Sequence, residues 1–424
     1  MDRTTCCIVG GGPAGMMLGL LLARAGVQVT VLEKHGDFLR DFRGDTVHPS
    51  TLRLLDELGL GEAFARLEFP KLEEMRAQIG STTVVMTDMR RIPGRHKYFA
   101  MVPQWDFLNL IASAAAERPS FTLRMRTEVT GLRTEGGRVT GVRYVDEHGT
   151  PGELAADLTV ACDGRDSMVR GAAGLRQKLI EVPMDVWQIR VDAPPSSQLR
   201  SSRGDPLAGA LNGRVFARFG GGQAAVTMDR GSYYQTAYLI GKGRDAELRA
   251  HGIQRLRDRL GALFGWDGEV TGRIGWDEVK LLEVTFGRLR RWYRDGLLCI
   301  GDAAHTMSPV GGVGVNLALQ DAVAAARILA GPLRRGTVGV ADLARVQRRR
   351  QLPMVLVQKA QEAEHGMIRA ALDGTLDEKR LPVPMRLMRR VPALRTVAGT
   401  LGGFGVWPER APAFARVSPG VRSR

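Results

Sequence analysis

Residues 6–35, CCIVGGGPAGMMLGLLLARAGVQVTVLEKH, constrain this chain more than any other stretch. A short apolar run, Cys6 to Val9, leads into Gly10, Gly12 and Gly15 at the spacing G-x-G-x-x-G. An apolar helix follows, and a second apolar run, Val27 to Leu32, ends on Glu33. Strand, glycine turn, helix, strand and terminal acid in that order make a βαβ unit that binds a dinucleotide. Gly10 permits the tight turn, Gly12 leaves bare backbone for a pyrophosphate, and Gly15 lets the helix close on the strand, with Ala14 inside the turn. Glu33, followed by Lys34, is placed to accept hydrogen bonds from a ribose. The helix N-terminus adds amide donors and partial positive charge, worth roughly 0.3–1 kcal/mol to a nearby anion. That is too little to hold a ligand alone, so other parts of the chain must contribute. Which dinucleotide is bound stays open at this level.

A chain of 424 residues with 44% hydrophobic content can bury a large core and suggests two to three domains. No run of about 18 apolar residues occurs, and the N-terminus leads directly into the first strand. The expectation is a cytoplasmic chain with no membrane span. The four cysteines, Cys6, Cys7, Cys162 and Cys299, sit in or beside apolar runs and read as small buried hydrophobes, with no metal site. Sixty basic against 45 acidic residues give +15, compatible with nucleic acid, a membrane surface or an acidic ligand. No nucleic-acid motif accompanies the charge, so no nucleic-acid partner is expected. The clusters Arg348–Arg350 and Arg389–Arg390 read as solvated helix faces. Lys379 to Ala398 mixes Met, Leu and Val with arginine like an interfacial helix, but Pro382, Pro384 and Pro392 interrupt it, which favours loose surface helices. Nothing specifies the oligomeric state.

The fold class is α/β. The dinucleotide domain is expected in three parts, 1–75, 102–180 and 281–330. Residues 76–101 read as an excursion that joins a second, mixed-sheet domain at 181–280, and 331–424 as a C-terminal helical region. A helix capped by Ser50 places Leu52, Leu55 and Leu58 on one face, and another beginning near Val102 turns Leu108, Ile111 and Ala115 inward. Strands are expected at Phe121–Arg126, Val139–Val145 and Leu158–Val160, resembling a hairpin appended to a sheet, and one polar helix over Arg244–Leu263.

Two further motifs follow. In ACDGRDSMVR, Asp163 and Gly164 lie just past an apolar run, where turn chemistry alone explains them. In CIGDAAHTMSPVGGVGVN, Gly301 and Asp302 end the apolar strand Leu297–Ile300, which aims the acid at a ligand. Gly311, Gly312 and Gly314 then allow main-chain amides to approach a flat ring, and Asn316 is a candidate cap for the next helix.

Taken in order, GGGPAG with Glu33, DGRDSMVR and GDAAHTMSPVGGVGVN resemble the single-component (group A) flavoprotein aromatic hydroxylases typified by p-hydroxybenzoate hydroxylase, over roughly residues 5–330. The resemblance implies a Rossmann-like FAD-binding domain, a mixed-sheet substrate domain and C-terminal helices. It implies FAD as cofactor and NAD(P)H as co-substrate, with Arg43 and Arg165 tilting the choice to NADPH. The implied activity inserts one oxygen atom from O2 into an aromatic or polyunsaturated small molecule through a flavin hydroperoxide, as in secondary metabolism. Carried across, Glu33 holds the adenosine ribose, Arg43 lies near flavin and pyrophosphate, Gln104 contacts the ribityl chain, and Asp302 binds a ribityl hydroxyl. Pro309 is the catalytic-loop position, lining the ring where oxygen is activated. The amides of Gly314, Val315 and Asn316 face the pyrimidine edge, and the helix beginning there favours negative charge on the reduced ring. Ala14, Lys34, Val129, Asp163, Gly301 and Gly312 complete the implied cofactor site.

Val313 and Gln104 depart from the family, where many members have Gln and Arg. A thioredoxin-like C-terminal domain of larger relatives is not evident. Tyr234 and Tyr238 share a strand face and, with Trp187, are candidate substrate-lining residues, though core burial is the plainer reading of each. His48 and His305 read as structural hydrogen-bonding residues. Two alternatives share the scaffold: a reductase or dehydrogenase of geranylgeranyl-reductase type, and a non-enzymatic binding protein such as a Rab GDP dissociation inhibitor. Gly301–Asp302 argues against the second.

Overall fold

The computed structural model describes residues 2–39, 46–192, 215–230, 233–376 and 381–417. Its first sheet runs Tyr293–Arg294, Leu297–Cys299, Pro151–Ala161, Asp2–Val9, Val29–Leu32, Phe121–Arg124, and all but the first of these strands are parallel. Parallel strands are covered on both faces and so read as unbroken apolar runs. Cys6, Cys7 and Ile8 are indeed fully buried. The hairpin Glu128–Glu135 and Arg138–Val145 extends Pro151–Ala161 antiparallel. Helices Pro13–Arg24, Gln104–Ala116 and Gly314–Arg334 cover the sheet, and Leu108, Ile111 and Ala115 face its core.

The second sheet has seven strands, in the order Val279–Leu282, Met184–Asp192, Tyr233–Gly241, Gln223–Asp229, Val215–Gly220, Glu74–Ile79, Thr82–Asp88. The last two come from early in the chain, and Glu74–Ile79 pairs parallel with Val215–Gly220. Period-two alternation separates the faces. Trp187, Ile189, Tyr234 and Tyr238 pack under the helix Ile253–Phe264. Val186, Phe219 and Leu239 pack on the other side, with Phe286, Ile368 and Met385. The single polar helix expected over 244–263 is two, Asp245–Ala250 and Ile253–Phe264, because Gly252 lies between them at φ 84°.

After Gly314–Arg334 comes a 33-residue helix, Val340–Leu372, about 50 Å long. Two shorter helices, Val383–Arg390 and Pro392–Phe404, break at Pro392. One stretch among the described residues, Val310–Arg334, is long and apolar enough to cross a membrane, and 72% of its apolar window is buried within the protein.

Candidate functional site

The first glycine turn is crowded in two places and open in one. Gly10 lies at φ 101°, donates its N–H to Leu32 O at 2.8 Å, and has Cys162 O only 2.5 Å from where a Cβ would stand. A Cβ on Gly15 would collide with the carbonyl oxygen of Gly10. At Gly12 a Cβ would meet nothing within 4 Å, so open space lies there. Gly12 is the N-cap of Pro13–Arg24 and no side chain caps that helix, so its first amides face the opening without a side-chain acceptor. Glu33, 2% exposed, ends Val29–Leu32. Its Oε2 accepts from Gly11 N–H at 2.7 Å and its Oε1 from His35 N–H at 3.0 Å. A carboxylate accepts at about four positions, which suits this one to ribose hydroxyls as well as to backbone amides. Ala14 is buried and Lys34 exposed.

Gly301 brings the third motif to the same place. It lies at φ 59°, and a Cβ there would stand 3.3 Å from Ala14 Cβ and 3.2 Å from Ala318 Cβ. The two helices Pro13–Arg24 and Gly314–Arg334 therefore start on either side of this loop, and half-buried Asp302 follows within one 3-10 turn. Gly301 donates its N–H to Asp321 Oδ2 at 3.2 Å, which also lies 2.6 Å from His305 Nε2. Arg350 Nε donates to Asp321 Oδ1 at 2.9 Å, and both members of that ion pair are fully buried. Burial works to raise the Asp321 carboxyl, but His305 and Arg350 hold it below the ordinary carboxylate range. This overturns the reading of Arg348–Arg350 as one solvated face. Arg348 is exposed and Arg349 donates to Glu409 at 2.6 and 2.9 Å, whereas Arg350 is core.

The middle motif staples the loops together. Asp163 accepts from Ser167 Oγ at 2.6 Å and Val169 N–H at 3.1 Å, and burial pushes its carboxyl up against these two donors. Arg170 reaches across to donate to Ala303 O at 3.2 Å and to Arg165 O at 2.6 Å. Arg165 itself donates to Glu283 O.

At Pro309–Asn316 the backbone turns through Gly311 at φ 76° and Gly312 at φ 60°, and Pro309 is exposed. The helix from Gly314 has Val313 as N-cap and no side-chain cap. Asn316 is not its cap, because its Oδ1 accepts from Thr51 Oγ1 and lies 2.9 Å from Ser50 Oγ. Ser50 likewise caps nothing: its hydroxyl stands between Asn316 Oδ1 and Gly403 O at 3.0 Å, and His48 is the N-cap of Pro49–Glu57. His48 is buried with Nδ1 2.9 Å from Gly402 O and Nε2 3.0 Å from Gly312 O. A neutral imidazole can donate to only one of these carbonyls, and burial holds its pKa down nonetheless. Gln104 is half-buried at the start of its helix, and Val129 is buried opposite Tyr144. Arg43 lies outside the described residues.

Two helix N-termini without side-chain caps, bare backbone at Gly12 and an acid at each strand end form a cradle that fits FAD. The three aromatic candidates do not reach it. Tyr234 stacks on Trp266 at 5.6 Å, and Tyr238 stacks on Trp187 at 6.1 Å and donates to Gln223 at 3.1 Å. All three belong to the core under Ile253–Phe264, because the strand parity that groups them also turns them away from the face carrying Phe286 and Val310. Arg170 closes the motif DGRDSMVR, whereas Asp321 and Arg350 carry no motif in the sequence. The only signal was an acid on an alanine-rich helix five residues past Asn316.

The family described as FAD binding domain matches residues 3–360. Over 399 residues the chain is 34% identical to a 6-methylpretetramide 4-monooxygenase of Streptomyces rimosus, covering 93% of this chain and 91% of that one. It is 32% identical over 331 residues to a 12-dehydrotetracycline 5-monooxygenase/anhydrotetracycline 6-monooxygenase of Streptomyces rimosus subsp. rimosus, covering 76% of this chain and 61% of that longer relative. Among solved structures, an anhydrotetracycline hydroxylase from Streptomyces rimosus superposes with a TM-score of 0.71 at 25% identity, over 97% of this chain and 77% of that one.

Proposed function

The chain belongs to the FAD binding domain family and is an FAD-dependent monooxygenase of the aromatic-hydroxylase type, and from this premise we propose that its substrate is a fused-ring aromatic polyketide. The observation that carries this reading is the 34% identity with a 6-methylpretetramide monooxygenase over nearly the full length of both chains. Bound FAD supplies the redox chemistry, taking reducing equivalents from NAD(P)H and activating O2. The chain's own residues bind and orient. We assign Glu33 to the adenosine ribose, the amides after Gly12 to the pyrophosphate, Asp302 to a ribityl hydroxyl, and the amides of Gly314–Asn316 to the electron-rich edge of the ring. Their helix dipole stabilises negative charge there. Arg170 and Asp321 hold the Gly301–Asp302 loop in place from both sides, by its carbonyls and its amide.

For the substrate wall, the inner sheet face replaces the outer tyrosines. Met75, Val215 and Met228 pack there, partly buried, with Phe99 and Met101. Unbranched, polarizable methionines suit a large flat ring system, since they adapt to its outline. Because reducing equivalents come from NAD(P)H, we place the enzyme in the cytoplasm. With labelled O2, a panel of polycyclic phenols should yield one labelled atom per product molecule together with stimulated NAD(P)H oxidation. Label confined to water and peroxide across the panel, despite rapid flavin bleaching, would replace this reading with the reductase one.

A further inference from the structure

The C-terminal helix Pro392–Phe404 is packed the wrong way round for a core helix. It docks through glycine: a Cβ on Gly399 would stand 2.9 Å from Asp88 O, and one on Gly403 would stand 2.8 Å from Met89 Cε. Its large aliphatic side chains point outward instead. Leu394, Val397 and Leu401, spaced i, i+3, i+7 on one helix face, are 36%, 53% and 53% exposed. The preceding helix Val383–Arg390 adds exposed Val383 and Leu387, Val391 joins the two, and Trp407 follows, 67% exposed. A shallow depression lined by Arg91, Thr396, Val397 and Leu401 continues the patch onto the loop after Thr82–Asp88. Isolated exposed apolar residues need no explanation, but a row of them along one helix face, bordering a depression, marks an interaction surface.

Its charge says what the surface meets. Between 381 and 408 there is no Asp or Glu, while Arg386, Arg389, Arg390 and Arg395 are all present. The first three are exposed, and none pairs with a carboxylate among the described residues. Exposed Arg91 lines the same depression as Val397 and Leu401. We propose that this face docks on an anionic lipid surface, with the aliphatic row and Trp407 entering the headgroup boundary and the arginines meeting lipid phosphates. Aliphatic residues flanked by arginine and tryptophan are the residue set that such a boundary selects. A second copy of the chain suits the patch poorly, because a self-complementary interface would set one arginine-bearing, acid-free face against another. This proposal is independent of the substrate assignment.

The test is co-sedimentation of the FAD-loaded full-length protein with vesicles of phosphatidylcholine alone and of phosphatidylcholine mixed with phosphatidylglycerol, at low and high salt. The protein should pellet with the mixed vesicles at low salt and be released by high salt. Arg389→Gln and Arg390→Gln should each weaken binding about 5-fold, the contribution of one basic residue near an anionic surface. Val397→Glu with Leu394→Glu should weaken it by 10-fold or more, leaving flavin content and lipid-free NAD(P)H oxidation unchanged. Four results would overturn the proposal: no pelleting with mixed vesicles, equal pelleting with neutral ones, capture of polyglutamate in place of vesicles, or a dimer that Val397→Glu converts to a monomer.

Discussion

The two glycine turns that border the cradle meet one requirement, bare backbone at a helix N-terminus, by different physics. In the first turn glycine is demanded mainly by crowding. Gly10 and Gly15 are pressed against the carbonyls of Cys162 and Gly10, and only Gly12 faces open space, at an unstrained φ of −73°. In the second turn glycine is demanded by conformation. Gly311 and Gly312 lie at φ 76° and 60°, yet Cβ atoms there would find their nearest neighbours at 3.8 and 3.4 Å. The first turn is thus part of the packing between strand and helix, and the second is a local bend that leaves its surroundings free. Substitutions should separate assembly of the fold, occupancy by the cofactor and local strain.

The largest effect is expected at Gly15. Gly15→Ala forces helix and strand apart and should cost about 3 kcal/mol or more in thermal unfolding of the apoprotein, beyond ordinary overpacking. A change below about 1 kcal/mol would show that the crowding relaxes easily. Gly12→Val should leave apoprotein stability within about 0.5 kcal/mol but weaken FAD about 100-fold, or ~2.7 kcal/mol, measured by fluorescence titration. If it destabilises the apoprotein as much as Gly15→Ala does, the distinction within the first turn is wrong. Asp302→Ala removes one charge-assisted hydrogen bond and should weaken FAD by about 1.5–2 kcal/mol, while unchanged affinity would remove its ribityl assignment. Gly311→Ala should cost about 1–2 kcal/mol from its left-handed backbone alone, without cavity or clash.

The smallest effect concerns His48, which links the second turn to the C-terminal helix. Unfolded, it titrates near its ordinary value of about 6.5, whereas burial lowers it in the folded protein. Within the window below 6.5 the unfolded chain binds the extra proton, so stability rises with pH and falls on acidification. His48→Gln should flatten that slope in melting temperatures taken at pH 7.5 and 5.5. Parallel slopes for both proteins would assign the pH dependence to another group.

The first turn, its helix and Glu33 were legible because they form a contiguous stretch in which spacing alone dictates strand, turn and acid. The same holds for the strand ending at Gly301–Asp302 and for Leu52, Leu55 and Leu58, all of which are buried. Period two correctly put Tyr234 and Tyr238 on one face, but periodicity does not say which face meets which neighbour. That was decided by the helix Ile253–Phe264, which covers the pair. Ser50 and Asn316 looked like helix caps because local hydrogen bonding is what sequence displays, whereas in the folded chain they meet across 266 positions. Arg350 is indistinguishable in sequence from Arg348, and only the packing of two long helices carries it to Asp321. Contiguous chemistry determined that this protein binds a dinucleotide. The pairing of distant charges, the facing of the sheet and the outward row of aliphatics near the C-terminus were decided by tertiary structure, because each depends on a partner far away along the chain.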